Sequence, residues 1–258
     1  MELRSAPVFP FVGIPIALVL LLAWGAFVAW QCSGASHARA KRVALTTLVV
    51  SFAWMGITWA LAASGAFLDW ESTPPPFMFL VLAIVAISCA IAFSPFGKRL
   101  AIFLPLWALV GVQAFRLPLE LAMHGMYEAG IMPVQMSYSG RNFDIVTGTT
   151  ALVVAVIVWR GVAGRWLVAA WNVLGLALLV NVVTVAILGT PRFQFFGREH
   201  LNVWVTHPPF VWLPAIMVLA ALAGHLVIFR ALILRSSAKP QPSPHPRGRT
   251  TRARSRTA

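Results

Sequence analysis

The sequence predicts an all-α membrane protein: a bundle of seven transmembrane helices, N-terminus outside and C-terminus inside. Three observations carry this. Charged residues are only 10% of the chain and hydrophobic residues 59%, whereas a soluble domain is about a quarter charged. Mean hydropathy is +0.82, and seven apolar runs approach the roughly 20 residues that a crossing helix needs. Finally, basic and acidic loops alternate along the chain, which fixes orientation through the preference of Lys and Arg for the cytoplasmic side.

The first run, residues 7–30, is too long for the ordinary 7–15-residue core of a signal peptide, so it reads as a retained span. The loop "QCSGASHARAKR" follows, and Arg39, Lys41 and Arg42 mark it as cytoplasmic. The second run, 43–66, leads to the acidic loop "LDWESTPPP". The third, 77–93, is short and ends in "SPFGKR", where Lys98 and Arg99 mark the inside again. The fourth is 100–123. The fifth, 145–159, is also short and is followed by Arg160 and Arg165. The sixth is 166–188 and the seventh 210–234. Asp69, Glu71, Glu120, Glu128, Asp144 and Glu199 fall toward the outer side, so the alternation holds at every loop. Cys32 and Cys89 lie toward the cytoplasm, where thiols stay reduced, so no disulfide is expected.

Residues 1–235 therefore form the transmembrane domain. Residues 236–258, "SSAKPQPSPHPRGRTTRARSRTA", have no apolar periodicity and read as a disordered basic cytoplasmic tail. Its arginines fit anionic lipid headgroups. Nucleic acid is not an expected partner, because no aromatic residues interleave with the arginines as stacking platforms.

Charge is scarce, yet three of the seven acids lie between Phe115 and Asp144. Arg116, Glu120 and His124 follow one another at four-residue spacing, so they drift only about 80° around a helix. Neighbours at that spacing touch. Gln113 and Tyr127 fall near the same arc. Pro118 should kink the helix and free the Ala114 carbonyl. Measured from Leu100, Arg116 lies roughly 24 Å up, in the outer third of the bilayer. Asn181 and Thr184 of the sixth run reach a similar height. Asn142 and Asp144 resemble caps of the fifth helix, and His200, Asn202 and His207 belong to the outer loop before the seventh.

Ionisable groups inside a bilayer face the bundle interior or water. Arg116, Glu120, His124, Tyr127, Arg141, Asn142, Asp144, Asn181 and His207 are thus the candidate ligand-binding residues of an outward-facing polar pocket. Arg116 would hold an anionic group or clamp Glu120. Glu120 and His124 would exchange protons, and Tyr127, Arg141 and Asp144 would line the mouth. The bland reading is a buried Arg116–Glu120 pair that only fixes helix packing.

No metal site, cofactor or catalytic residue is assigned. His124 and His225 lie at different depths and cannot clamp a haem from two sides. Asn172, at the depth of His225, is its expected partner. No H-E-x-x-H pattern supports zinc. Met123, Met126, Met132 and Met136 flank His124 and would suit Cu(I), but methionine serves equally as an ordinary hydrophobe. Lys41, Lys98 and Lys239 all lie outside the spans, which excludes a retinal Schiff base.

The strings "FRLPLELAMHGMYEAGIMPVQMSYSGRNFDIVTG" and "NVWVTHPPFVWLPAIMVLAALAGHLVIFRAL" resemble a group of bacterial multi-pass membrane proteins without an assigned function. The resemblance covers less than half the chain. It implies a bacterial inner-membrane location and supplies no catalytic residues. The expected function is binding of a small molecule or ion, as in a transporter or sensor. The competing classes are an accessory or scaffold subunit, whose polar stripe meets a membrane-protein partner, and a membrane-embedded metal-dependent enzyme.

Overall fold

The structure is a computed structural model that describes residues 8–162 and 164–236. The N-terminal seven residues and most of the basic tail lie outside the described residues. Helices α1 (Phe9–Cys32), α2 (His37–Ala63), α3 (Pro76–Phe93), α4 (Pro95–Phe103), α5 (Leu106–Val112), α6 (Arg116–Glu128), α7 (Ile145–Trp159), α8 (Arg165–Leu188) and α9 (Leu219–Ser236) follow in order, with no strand among the described residues. Helix α6 continues α5 through a tight 3₁₀ turn at Gln113–Phe115, and α9 is entered through a wide π-helical turn at Leu213–Val218. Counting those continuations, six helices are long and apolar enough to cross a membrane, and α7 is a shorter apolar helix. Their outward faces carry large apolar side chains such as Trp24, Phe79, Leu82, Val153 and Val180, as a lipid-facing surface requires.

Two expectations are corrected. The first basic loop is shorter than expected. Ser36 caps α2, its hydroxyl accepting from the Arg39 amide, so Arg39, Lys41 and Arg42 stand on the first turns of that helix. Gly34, at φ +79°, provides the left-handed turn between α1 and α2. The fourth run is broken: α4 ends at Phe103 and a new helix starts at Leu106. Pro105 explains the break, since a residue before proline leaves the helical region; Leu104 sits at ψ 139°. Ser94 and Pro95 start α4 after a sharp turn, and the Ser94 hydroxyl accepts from the Gly97 amide at 3.1 Å. The disturbance expected from Pro118 is met in the turn before it, where Gln113–Phe115, with the Ala114 carbonyl, winds as a 3₁₀ turn.

Arginines fasten the basic end. Arg99 donates to the Ser33 hydroxyl at 2.8 Å and lies 4.7 Å over the Trp30 ring. Arg230 donates to carbonyls at the end of α3, Ala92 at 2.5 Å and the capping Ser94 at 2.7 Å. Arg235 reaches the carbonyls of Ala101 and Leu104. At the opposite end Phe11, Trp204 and Phe210 meet edge to face, with ring centroids 5.2–5.7 Å apart, which seats the loop before α9 on α1. The widened turn of α9 exposes carbonyls that neighbours satisfy: the Trp54 indole donates to Ala215 at 3.0 Å, and Trp212 donates back to Met55 on α2 at 3.1 Å.

Helices α6 and α7 cross at Gly148. A Cβ there would lie 2.3 Å from the Leu117 nitrogen and 2.9 Å from the Arg116 carbonyl carbon. Backbone cannot yield as a side chain can. Gly148→Ala should therefore cost about 1–3 kcal/mol, read as a lowered thermal midpoint of the purified protein in detergent. Gly56→Ala, with nothing within 4 Å of the added carbon, should leave the midpoint unchanged or slightly raised.

Candidate functional site

Helix α6 rises from its 3₁₀ turn with Arg116, Leu119, Glu120, Ala122, Met123 and Met126 on its buried side. Arg116 is 1% exposed and Glu120 2%. The partner of Arg116 is Asp144, not Glu120: its Nη1 donates to Asp144 Oδ1 at 2.9 Å. The same nitrogen points at the Gly175 carbonyl of α8, at 3.4 Å. The Arg116 Nε and Nη2 groups have no hydrogen-bond partner among the described residues.

Glu120 is held by Asn142, whose Nδ2 donates to Glu120 Oε2 at 2.8 Å and to the Met136 carbonyl at 3.0 Å. The Asn142 Oδ1 accepts from the Asp144 amide at 3.0 Å. Asp144 does occupy the first position before α7, but its carboxylate makes no cap bond and turns to Arg116 instead. A buried charge left unpaired costs far more than a vacant cap, so the ion pair prevails.

This geometry shifts the expected depth. The crossing helix begins at Leu106, not Leu100, so Arg116 sits roughly 15 Å along it, near its middle. Helix α7 runs antiparallel to α6, and its start lies beside Glu120, two turns short of the end of α6. The intervening segment, residues 129–143, folds down into the bundle. Gln135, Met136, Ser137 and Asn142 are all buried. Irregular backbone at that depth is tolerated only inside protein, and here the Arg141 and Asn142 amides are taken by the Gln135 and Ser137 carbonyls. That is why α7 is short. The segment's close turn needs Gly140, where a Cβ would meet the Val134 carbonyl oxygen at 2.2 Å.

The structure thus brings together Arg116, Glu120, Asn142 and Asp144. It separates the other five. His124 faces the descending segment: its Nδ1 is 2.8 Å from the Ser137 hydroxyl, its ring stacks on Tyr138 at 4.3 Å, and its Nε2 is 3.5 Å from Glu128. Tyr127 is half-buried beside His124. Arg141 is exposed, with its guanidinium over the Phe196 ring. Asn181 donates to the Arg141 carbonyl at 2.8 Å. His207 is exposed and turns back toward the Val203 carbonyl. The mouth expected from Tyr127 and Arg141 does not form around the ion pair.

A cavity of about 220 Å³ lies beside the cluster, and Arg116, Glu120 and Asp144 line it. Its other walls are mostly apolar: Phe77, Val81 and Val85 of α3, Leu179 and Val183 of α8, Met217 and Ala221. Thr184 and Asn202 add polar groups toward the acidic end. Helices α3 and α8 both pack on α9 but not along each other. The gap between them faces outward, flanked by the exposed side chains of Val85, Val180 and Thr184. Met123, Met126, Met132 and Met136 are core side chains here, each at most 3% exposed. Among the described residues no three His, Cys, Asp or Glu side chains group as a metal site would need.

Asn172 and His225 pair as expected, Nδ1 to Oδ1 at 2.7 Å, with Asn172 Nδ2 also donating to the His225 carbonyl at 3.0 Å. His225 lies midway along the span Leu213–Ser236. Gly175 lies against the His225 ring, where a Cβ would come within 2.6 Å of its Cε1. The Gly175 carbonyl faces Arg116, so the two buried polar groups adjoin in mid-bundle.

Arg116→Met should lower stability by about 3–5 kcal/mol, because it strands a buried Asp144. The double variant Arg116→Met/Asp144→Leu should recover most of that loss. Denaturant unfolding of the purified protein checks both, and a double variant as unstable as the single would show that packing rather than charge ties α6 to α7.

No protein-family model, curated protein or solved structure matches this chain.

Proposed function

We propose that this chain is a seven-span bacterial inner-membrane protein that binds a lipophilic small molecule, as a transporter or sensor would. The ligand enters sideways from the bilayer between α3 and α8. The crossing beyond the six long helices is α7, fifth in chain order, completed by the descending segment before it. At about 1.5 Å per residue, its 15 residues fall short of a hydrocarbon core of about 30 Å, and residues 129–143 make up the difference. The basic residues at one end and the acids toward the other support an N-terminus outside and a C-terminus inside.

The observation that carries the binding reading is the lining of the cavity. An ion pair that serves packing alone is sealed by its neighbours. Here Arg116, Glu120 and Asp144 border a space whose other walls are mostly apolar. Arg116 keeps two nitrogens, Nε and Nη2, without partners among the described residues, and a buried donor left unsatisfied costs about 1–3 kcal/mol. A molecule with an apolar body and a hydrogen-bond-accepting head complements this arrangement. The body would lie against Val81, Leu179 and Val183, and the head would turn to Arg116. Glu120 is the group beside that head able to take up or release a proton.

Native mass spectrometry, with solvent extraction of the purified protein, tests this. Wild type should carry a bound small lipophile that is not a phospholipid. Val183→Trp, which fills the cavity, should lose it, and Glu120→Gln should weaken its retention. If wild type carries no such mass and Val183→Trp is at least as stable, the cluster is a packing device and the scaffold reading takes its place.

A further inference from the structure

A second groove lies at the other end and on the other side of α9. Helix α2 leans on α1 and on the wide turn before α9, and does not pack along α3. Two adjoining cavities, of about 690 Å³ and 400 Å³, lie where α1, α2 and α3 meet, the second reaching inward to α9. Both are lined by Leu22, Val50, Ser51 and Ile91, so they are parts of one groove. Its outer part is bordered by Arg39, Arg42, Thr46 and Thr47 on the basic end of α2. Its inner part is bordered by apolar side chains, Leu18, Trp54, Ile87 and Leu109 among them.

We infer that this groove seats an anionic phospholipid, its phosphate between Arg39 and Arg42 and one acyl chain running inward toward Trp54. Three observations support the assignment. Arg39 and Arg42 are three residues apart and border the groove together, whereas Lys41 does not. Neither guanidinium has a hydrogen bond or ion pair with another described residue. The neighbouring arginines are used differently, Arg99 on Ser33 and Arg230 on the end of α3. The groove changes from basic to apolar along α2, and Arg42 to Trp54 spans about 18 Å at the helical rise. That order of headgroup then chain matches a phospholipid entering from the leaflet at the basic end. Basic pockets between transmembrane helices on that side recognise such headgroups.

The test is native mass spectrometry of the full chain in detergent, with phosphatidylglycerol and phosphatidylcholine of identical acyl chains added in turn. Wild type should retain one phosphatidylglycerol in preference to phosphatidylcholine. Arg39→Gln/Arg42→Gln should reduce that retention roughly thirtyfold, from about a kilocalorie per basic residue. Lys41→Gln should leave it intact. Ser51→Phe, which blocks the chain while keeping both arginines, should also reduce it, and excess inorganic phosphate should not displace the lipid. Equal retention of the two lipids, an equal loss with Lys41→Gln, or undiminished retention by Ser51→Phe would each overturn the assignment. Displacement by inorganic phosphate would overturn it too, as the mark of a free-anion site.

Discussion

A guanidinium taken out of water must meet an anion, and the interior of this protein is arranged around that requirement. Arg116 sits in mid-helix and is almost wholly buried. Asp144 answers it, which draws the start of α7 level with the buried side of α6. The approach is close enough that position 148 has no room for a side chain. With α7 beginning so deep, residues 129–143 must come down to reach it. Asn142 closes that segment by bonding Glu120 and the Asp144 amide together. The same guanidinium reaches the Gly175 carbonyl, and Gly175 admits His225. Four helices are thus referred to one charge. Removing one partner of a buried pair costs more than the pair itself contributes, so the arrangement constrains neighbours rather than merely adding stability.

The membrane class was legible because lipid imposes a coarse demand, long apolar runs with few charges. Six runs became long helices for that reason. Local chemistry could also be read where it was self-contained, as with Asn172 beside His225. The fourth run misled because Leu100, Ala101 and Ile102 are as apolar as the residues after Pro105; composition hides a break that backbone sterics dictate. The four-residue stripe on α6 correctly placed Arg116 and Glu120 on one face. It failed to pair them properly, because periodicity within one helix carries no information about the helix opposite. Asp144 was legible as a residue beginning a helix, and its ion pair was not. His124 shares the stripe's spacing, yet the descending segment claims it. The α3 wall of the cavity had no signal at all: Phe77, Val81 and Val85 are ordinary residues of an apolar helix.

The two cavities differ in a way that follows from their positions. The one beside Arg116 is small and has its charges at mid-bundle. The groove along α2 is larger and has its charges at the rim. A charge at the rim remains hydrated until something arrives, so it contributes attraction and orientation. A charge in mid-bundle has already lost its hydration when the protein folds, so any partner that reaches it meets a group held in place. In the proposed reading, shape and electrostatics would separate recognition of a bulk lipid at the rim from recognition of a scarcer molecule in mid-bundle.

The arginine contacts at the basic end bear on how the chain is made. Arg99, Arg230 and Arg235 belong to the positive charge that sets which way a chain enters the membrane, and each also closes a join between distant segments. Arg230 and Arg235 lie on the final helix, yet they fasten carbonyls near the end of α3 and at α4. During synthesis those carbonyls are without their arginines until the last helix has emerged. Two of the three joins at the basic end are therefore closed only by the final segment, so a chain truncated before α9 would keep the Arg99–Ser33 contact and lose the other two.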